Sequence, residues 1–209
     1  MEREKVKEIF HTLYDNVNGR SLSLEGREKN QYTSKSFVYG EVVPDSFYEM
    51  VSEGGPIPGQ IFYDLGSGTG KAVMLAHLMF DFKVARGIEY LETLYGASAE
   101  VLKRYENDIY PTIAPEIGDK QIQLIHGSFL DIDFSDADFI FMNSTCFQDD
   151  LMEALEEKLE KIRPHATVIS LSKSLKPTSF HQYKHKMFEF SWGQATAFYH
   201  KKRLWKVFM

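Results

Sequence analysis

The chain has 209 residues, 43% hydrophobic and 14% aromatic, with a formal net charge of −6. That length and apolar content suit one α/β domain with a sizeable core and exclude a disordered chain. The single cysteine, Cys146, excludes an intramolecular disulfide framework and suits a reducing compartment.

Taken in chain order, Val6, Ile9, Phe10, Leu13 and Val17 fall at helical spacing, so an amphipathic helix is expected over residues 2–17. The polar stretch from Asn18 to Ser36 reads as loop, and a second helix follows Pro44. The run GGPIPG, Gly54 to Gly59, breaks the chain. Beyond it, strand and helix patterns alternate. QIFYDL, KVARGIEY, IQLIHGSF, ADFIFMN and ATVISLS read as strands. KAVMLAHLMF, Leu91 to Asp108 and Asp149 to Lys161 read as helices. HKMFEFSW and QATAFYHKKRL, joined at Gly193, read as a closing antiparallel pair. This order predicts an α/β fold: a seven-stranded Rossmann-like sheet, mostly parallel, with a C-terminal hairpin and helices on both faces, a plan that resembles that of the class I methyltransferases. Residues 1–53 are expected to form a helical segment and a loop over the cofactor, and residues 54–209 the cofactor-binding domain, the two making one compact unit. No run of about 18 apolar residues occurs, and the charged start MEREKVKE is not a secretory signal, so an intracellular protein, in nucleus or cytoplasm, is expected.

The stretch FYDLGSGTGK carries the strongest chemical signal. It ends a strand and opens a helix, as a nucleotide-binding first turn does. Its glycines, Gly66, Gly68 and Gly70, form GxGxG rather than the dinucleotide GxGxxG, and the GxxxxGK[ST] phosphate loop is absent. Asp64 stands before the glycines, and an acid there suits a cofactor with a positive end. S-adenosylmethionine (AdoMet) carries an ammonium and a sulfonium. Glu89 ends the second strand, 21 residues past Gly68, where a carboxylate can accept from both ribose hydroxyls. The seven histidines form no HExxH and the chain has no paired cysteines, so no metal is expected.

Charge is unevenly placed. From Lys173 to Met209 stand seven Lys and one Arg against one acid, which leaves −13 on the preceding 172 residues. The basic segment suggests a polar partner surface, the competing reading being that edge-strand lysines block edge pairing.

Further stretches name a family. VYGEVVPDSF lies upstream of the core, HGSFL follows the third strand, FMNSTCF ends the fourth and FSWGQATAFYH lies near the C-terminus. With DLGSGTGK and GIE they resemble the disruptor-of-telomeric-silencing family of histone-lysine methyltransferases, over about Phe37 to His200. The resemblance implies a non-SET, AdoMet-dependent enzyme that methylates a lysine of a core histone or another basic protein, with the basic segment 173–209 in contact with a nucleosome or DNA. It implies cofactor contacts from Tyr39, Glu41, Asp64, Gly66, Gly68, Gly70, Lys71, Glu89, Ser128, Phe129 and Asn143. It also implies a lysine channel with Asn143 at its mouth and Phe147, Trp192 and Tyr199 in its wall. Three positions depart from the family pattern. Lys71 stands for Gln, Ser128 for Asp, and Thr145 for the aromatic within the NSTCF stretch. These departures leave open a class I methyltransferase of a small amine or metabolite, or a non-catalytic AdoMet-binding subunit.

Overall fold

The computed structural model describes residues 1–32, 34, 40–177 and 179–204. Tyr39 and the last five residues, Lys206 included, fall outside them. Helix α1 spans Arg3–Tyr14, α2 Gly19–Lys29 and α3 Pro44–Glu53. Strand β1 (Ile61–Leu65), helix α4 (Lys71–Met79), strand β2 (Val84–Glu89) and helix α5 (Glu92–Arg104) follow. A π-helical turn, Tyr105–Ile109, joins α5 to α6 (Tyr110–Ile117). Then come β3 (Gln121–His126), β4 (Phe139–Met142), α7 (Asp149–Leu159), β5 (Thr167–Leu171), β6 (Phe180–Phe190) and β7 (Gly193–Lys202).

The seven strands make one sheet in the order β3-β2-β1-β4-β5-β7-β6. The first five pair in parallel, and β7 inserts antiparallel between β5 and β6. Alternation along each strand divides the core into two layers. Phe62 of β1, Phe139 and Phe141 of β4 and Ile169 of β5 face α1, α3 and α4. Tyr63, Leu65, Ile140, Met142 and Val168 face the other way, with Leu155 and Leu159 of α7. In β1, β4 and β5 nearly every residue is buried, as both faces of a parallel sheet are covered.

Two helical segments differ from the sequence expectation. Residues read as loop form α2, whose buried positions are the small residues Gly19, Ser23 and Gly26 rather than an apolar stripe. Asn18 caps the helix by accepting from the Ser21 N–H at 3.0 Å. The helix stays polar because it docks on α5 closely, with Thr93 Oγ1 donating to the Leu22 carbonyl at 2.8 Å. The second difference follows α5. Pro111 has no N–H for a bond back to Asn107, and the π turn takes up that loss so that helical winding continues to Ile117.

Gly87, in the middle of β2, sets how closely the glycine loop approaches the sheet. A Cβ there would lie 2.6 Å from Ser67 Oγ and 2.7 Å from Val73 Cγ2. Gly87→Ala is therefore expected to destabilise the fold by about 1–3 kcal/mol, as other overpacked positions do. Urea denaturation checks this, and an unchanged midpoint would show that the loop has slack.

Candidate functional site

The glycine loop is built by backbone bonds onto β2. Gly66 N–H and Ser67 N–H both donate to the Ile88 carbonyl, at 2.9 and 3.0 Å, and Gly70 N–H turns back to the Ser67 carbonyl at 2.8 Å. Gly66, Gly68 and Gly70 all take positive φ, +86°, +56° and +80°, which is why glycine recurs at alternate positions. Glu89 finishes the arrangement. Its carboxylate accepts from Gly68 N–H at 2.7 Å and from Leu91 N–H at 2.8 Å. Two backbone bonds leave about half of its lone-pair sites for a ligand. Burial raises its pKa, and the backbone N–H groups hold the rise in check.

Asp64, the residue before the last of β1, leads into this loop and is 3% exposed. Burial pushes its carboxyl well above the usual range, and the nearby Glu89 adds to the shift. Two buried acids side by side are an environment for a cation. Glu41 comes over them from the segment ahead of α3 and pairs through Oε2 with Lys71 Nζ at 2.7 Å. A narrow space lies between Glu41, Asp64, Gly66, Lys71 and Asn143. Two oxygens that belong to its lining residues, Glu41 Oε1 and Asn143 Oδ1, are buried and have no hydrogen-bond partner among the described residues.

A larger cleft of about 470 Å³ adjoins this space, lined by Gly66, Glu89, Ser128, Phe129, Asn143 and Phe147 among others. The Phe129 and Phe147 rings lie 5.6 Å apart in it. Sequence reasoning missed part of its wall. Tyr90, Leu91, Leu94, Asp131 and Leu151 line it as well, and so does Tyr32, whose hydroxyl donates to that of Tyr90 at 3.3 Å. Proximity to Glu89 was the available signal for Tyr90 and Leu91; nothing local marked Tyr32.

The hairpin tip closes the site from the far side. Ser191 donates to the Glu41 carbonyl through N–H at 3.4 Å and through Oγ at 3.2 Å. Trp192 stacks on Phe190 at 4.6 Å and lies against Gly40, where a Cβ would sit 2.8 Å from the indole. The Gly40 carbonyl accepts from Asn143 Nδ2 at 3.3 Å. Trp192 thus reaches Asn143 through Gly40. Tyr199 does not join them. It is fully buried in the layer under α3, with Tyr183 at 6.1 Å and the Lys184 ammonium 5.8 Å from its ring. Its partner in register on β5 is Ile169, in the same core layer.

The basic segment is largely paired within the chain. Lys173 pairs with Asp149, Lys176 with Glu153 and Glu156, Lys184 with Glu53, Lys186 with Glu49 and Glu53, and Lys202 with Glu160. Lys201 donates to Thr167 Oγ1 at 2.6 Å. The positive segment is a counterpart to the acidic body and, among the described residues, no free basic stripe. Among the described residues there is also no cluster of potential metal ligands and no helix long and apolar enough to cross a membrane.

The sheet order, the hairpin insertion and the glycine turn after β1 define the class I methyltransferase fold. TrmN from Thermus thermophilus superimposes with a TM-score of 0.59 at 17% identity, over 80% of this chain and 51% of that one. An RNA methyltransferase from Salinibacter ruber, solved with S-adenosyl-L-homocysteine, gives 0.55 at 15% identity, over 80% and 93%. Within that class, residues 19–198 match the family described as histone methylation protein DOT1, and the chain belongs to it. A histone-lysine N-methyltransferase, H3 lysine-79 specific, from Kluyveromyces lactis is 29% identical over 82% of this chain and 30% of its own length. The protein of the same description from Caenorhabditis elegans is 29% identical over 82% of this chain and 18% of its own length. The chain thus spans under a third of these two relatives.

The sign of the Asp64 shift gives a pH prediction. A carboxyl with a raised folded pKa keeps its proton while the unfolded chain has released it above about pH 4, so the group costs stability as pH rises. Asp64→Asn is expected to raise the melting temperature of the ligand-free protein at pH 7 by about 2–4 °C per kcal/mol relieved. The gain should shrink as the pH falls. Thermal melts of both proteins across pH 5–8 check it; equal melting temperatures throughout would place the Asp64 proton elsewhere.

Proposed function

We propose that the chain is an AdoMet-dependent protein-lysine N-methyltransferase acting on a core histone or another basic protein. The observation that carries this reading is the pair of buried oxygens, Glu41 Oε1 and Asn143 Oδ1, that have no hydrogen-bond partner among the described residues and lie beside buried Asp64. They are acceptors without donors, in a space that suits a cationic amino-acid end. Family membership and the names of the relatives support the same reading and a histone substrate, which implies nuclear action.

AdoMet, when bound, supplies an electrophilic methyl group on a sulfonium. Glu41, Asp64 and Lys71 would hold its amino-acid end, and the backbone of Gly66, Gly68 and Gly70 would leave room for it. Glu89 would accept from the ribose, and Ser128 and Phe129 would border the adenine. The protein's remaining work concerns the target amine. A lysine with a pKa of about 10.4 requires about 4.6 kcal/mol to become neutral at pH 7. An apolar wall that includes Phe147 reduces that requirement by disfavouring the ammonium. Asn143, held by the Gly40 carbonyl and covered by Trp192 through Gly40, would fix the amine's approach. No strong general base is needed. The Cys146 thiol is pushed up by burial and is not a nucleophile in this scheme. The reading does not depend on the internally paired basic segment.

Transfer of a radiolabelled methyl group to nucleosomes, free core histones and lysate proteins tests this. Asn143→Ala is expected to lower the rate about 100-fold, the scale of a lost positioning contact, with a much smaller loss of S-adenosylhomocysteine affinity. Label that survives acid hydrolysis as methyl-lysine supports the proposal. Cofactor binding without transfer to any protein would overturn it.

A further inference from the structure

Helix α1 lies ahead of the residues that match the family, which begin at residue 19. Its inner face nonetheless reaches the candidate site. Phe10 and Tyr14, one turn apart on α1, have ring centroids 4.8 Å from each other. The Lys71 ammonium lies 5.9 Å from the Phe10 centroid and 5.5 Å from that of Tyr14. On its other side it pairs with Glu41 at 2.7 Å. The Lys71 side chain is 12% exposed, so these rings and one carboxylate make up much of its surroundings. Tyr14 also touches the glycine loop, its hydroxyl lying 3.6 Å from where a Gly70 Cβ would be. Burial raises the Tyr14 pKa, so the ring stays neutral beside the ammonium.

A desolvated ammonium needs compensation on every side. The aromatic pair and the lysine therefore belong together. We propose that α1 is a positioning element of the cofactor site: Phe10 and Tyr14 hold the Lys71 ammonium, and thereby set the Glu41–Lys71 ion pair that receives an α-amino-acid zwitterion. Lys71 faces the carboxylate of that zwitterion and Glu41 its ammonium. The inference rests on the AdoMet reading above and adds a part of the chain which that reading does not require.

Two probes separate the amino-acid end from the nucleoside. S-adenosylhomocysteine carries the zwitterion, and 5′-methylthioadenosine lacks it. Titration calorimetry should show Phe10→Leu and Tyr14→Leu each weakening S-adenosylhomocysteine about three- to tenfold, the range of a partly desolvated cation–π contact. Methylthioadenosine affinity should stay unchanged, which also shows that the variants fold. Tyr14→Phe keeps the ring face and should retain tight binding. In the Lys71→Gln background, Phe10→Leu and Tyr14→Leu should have no further effect. The inference is overturned if either leucine variant weakens both probes equally, or weakens S-adenosylhomocysteine as much in the Lys71→Gln background. If the unchanged protein binds neither probe, the cofactor reading itself is wrong and this inference falls with it.

Discussion

The bond from Gly68 N–H to the Glu89 carboxylate joins the first turn of the fold to the end of the second strand. Everything at the site takes its position from that junction. The loop can lie so close to β2 because Gly87 has no side chain beneath Ser67. Because the loop lies there, Asp64 is sealed under it and Glu89 is sealed beside it. Two acids in that setting raise each other's cost of ionisation, a strain the folded chain retains until a cation arrives. The site is thus organised around acids whose ionised form burial disfavours.

Where burial is complete, the sequence was a direct record of the structure. Apolar runs such as IFYDL and FIFM can only be strands covered on both faces, and the glycines of DLGSGTGK can only mark a turn with positive φ. Legibility failed where the deciding contact was distant. Nothing within Gly19–Lys29 announces a helix, because its docking partner is Thr93, 71 positions beyond Leu22. The resemblance placed Tyr199 with Trp192, and only the fold shows that ring buried beside Ile169 on the α3 side. The charge excess from Lys173 onward could be counted, yet only the fold shows that α3 and α7 supply its counter-charges. Composition gives the amount of charge; pairing is a property of topology.

The cover over the site is assembled from both ends of the chain. Glu41 is held from one side by Lys71 and from the other, at its backbone, by Ser191. Lys184 and Lys186 of β6 bind Glu49 and Glu53 of α3, the helix that follows Glu41. Such part-exposed pairs contribute little each, about 0–1 kcal/mol, but here they act on one short segment together.

The bond between Ser191 and Glu41 spans 150 positions in the chain. This has a consequence for biosynthesis. A ribosome delivers the glycine loop, β1 and β2 well before the hairpin, and contacts of such long sequence separation form late. Until the tip of the hairpin has emerged, the segment that carries Glu41 has no anchor on that side. A nascent chain can therefore shape its nucleoside cradle early and yet lack a finished cover. Completion of the cover marks the moment when synthesis has passed Trp192, so a product truncated before the hairpin would retain the loop without the means to close over it.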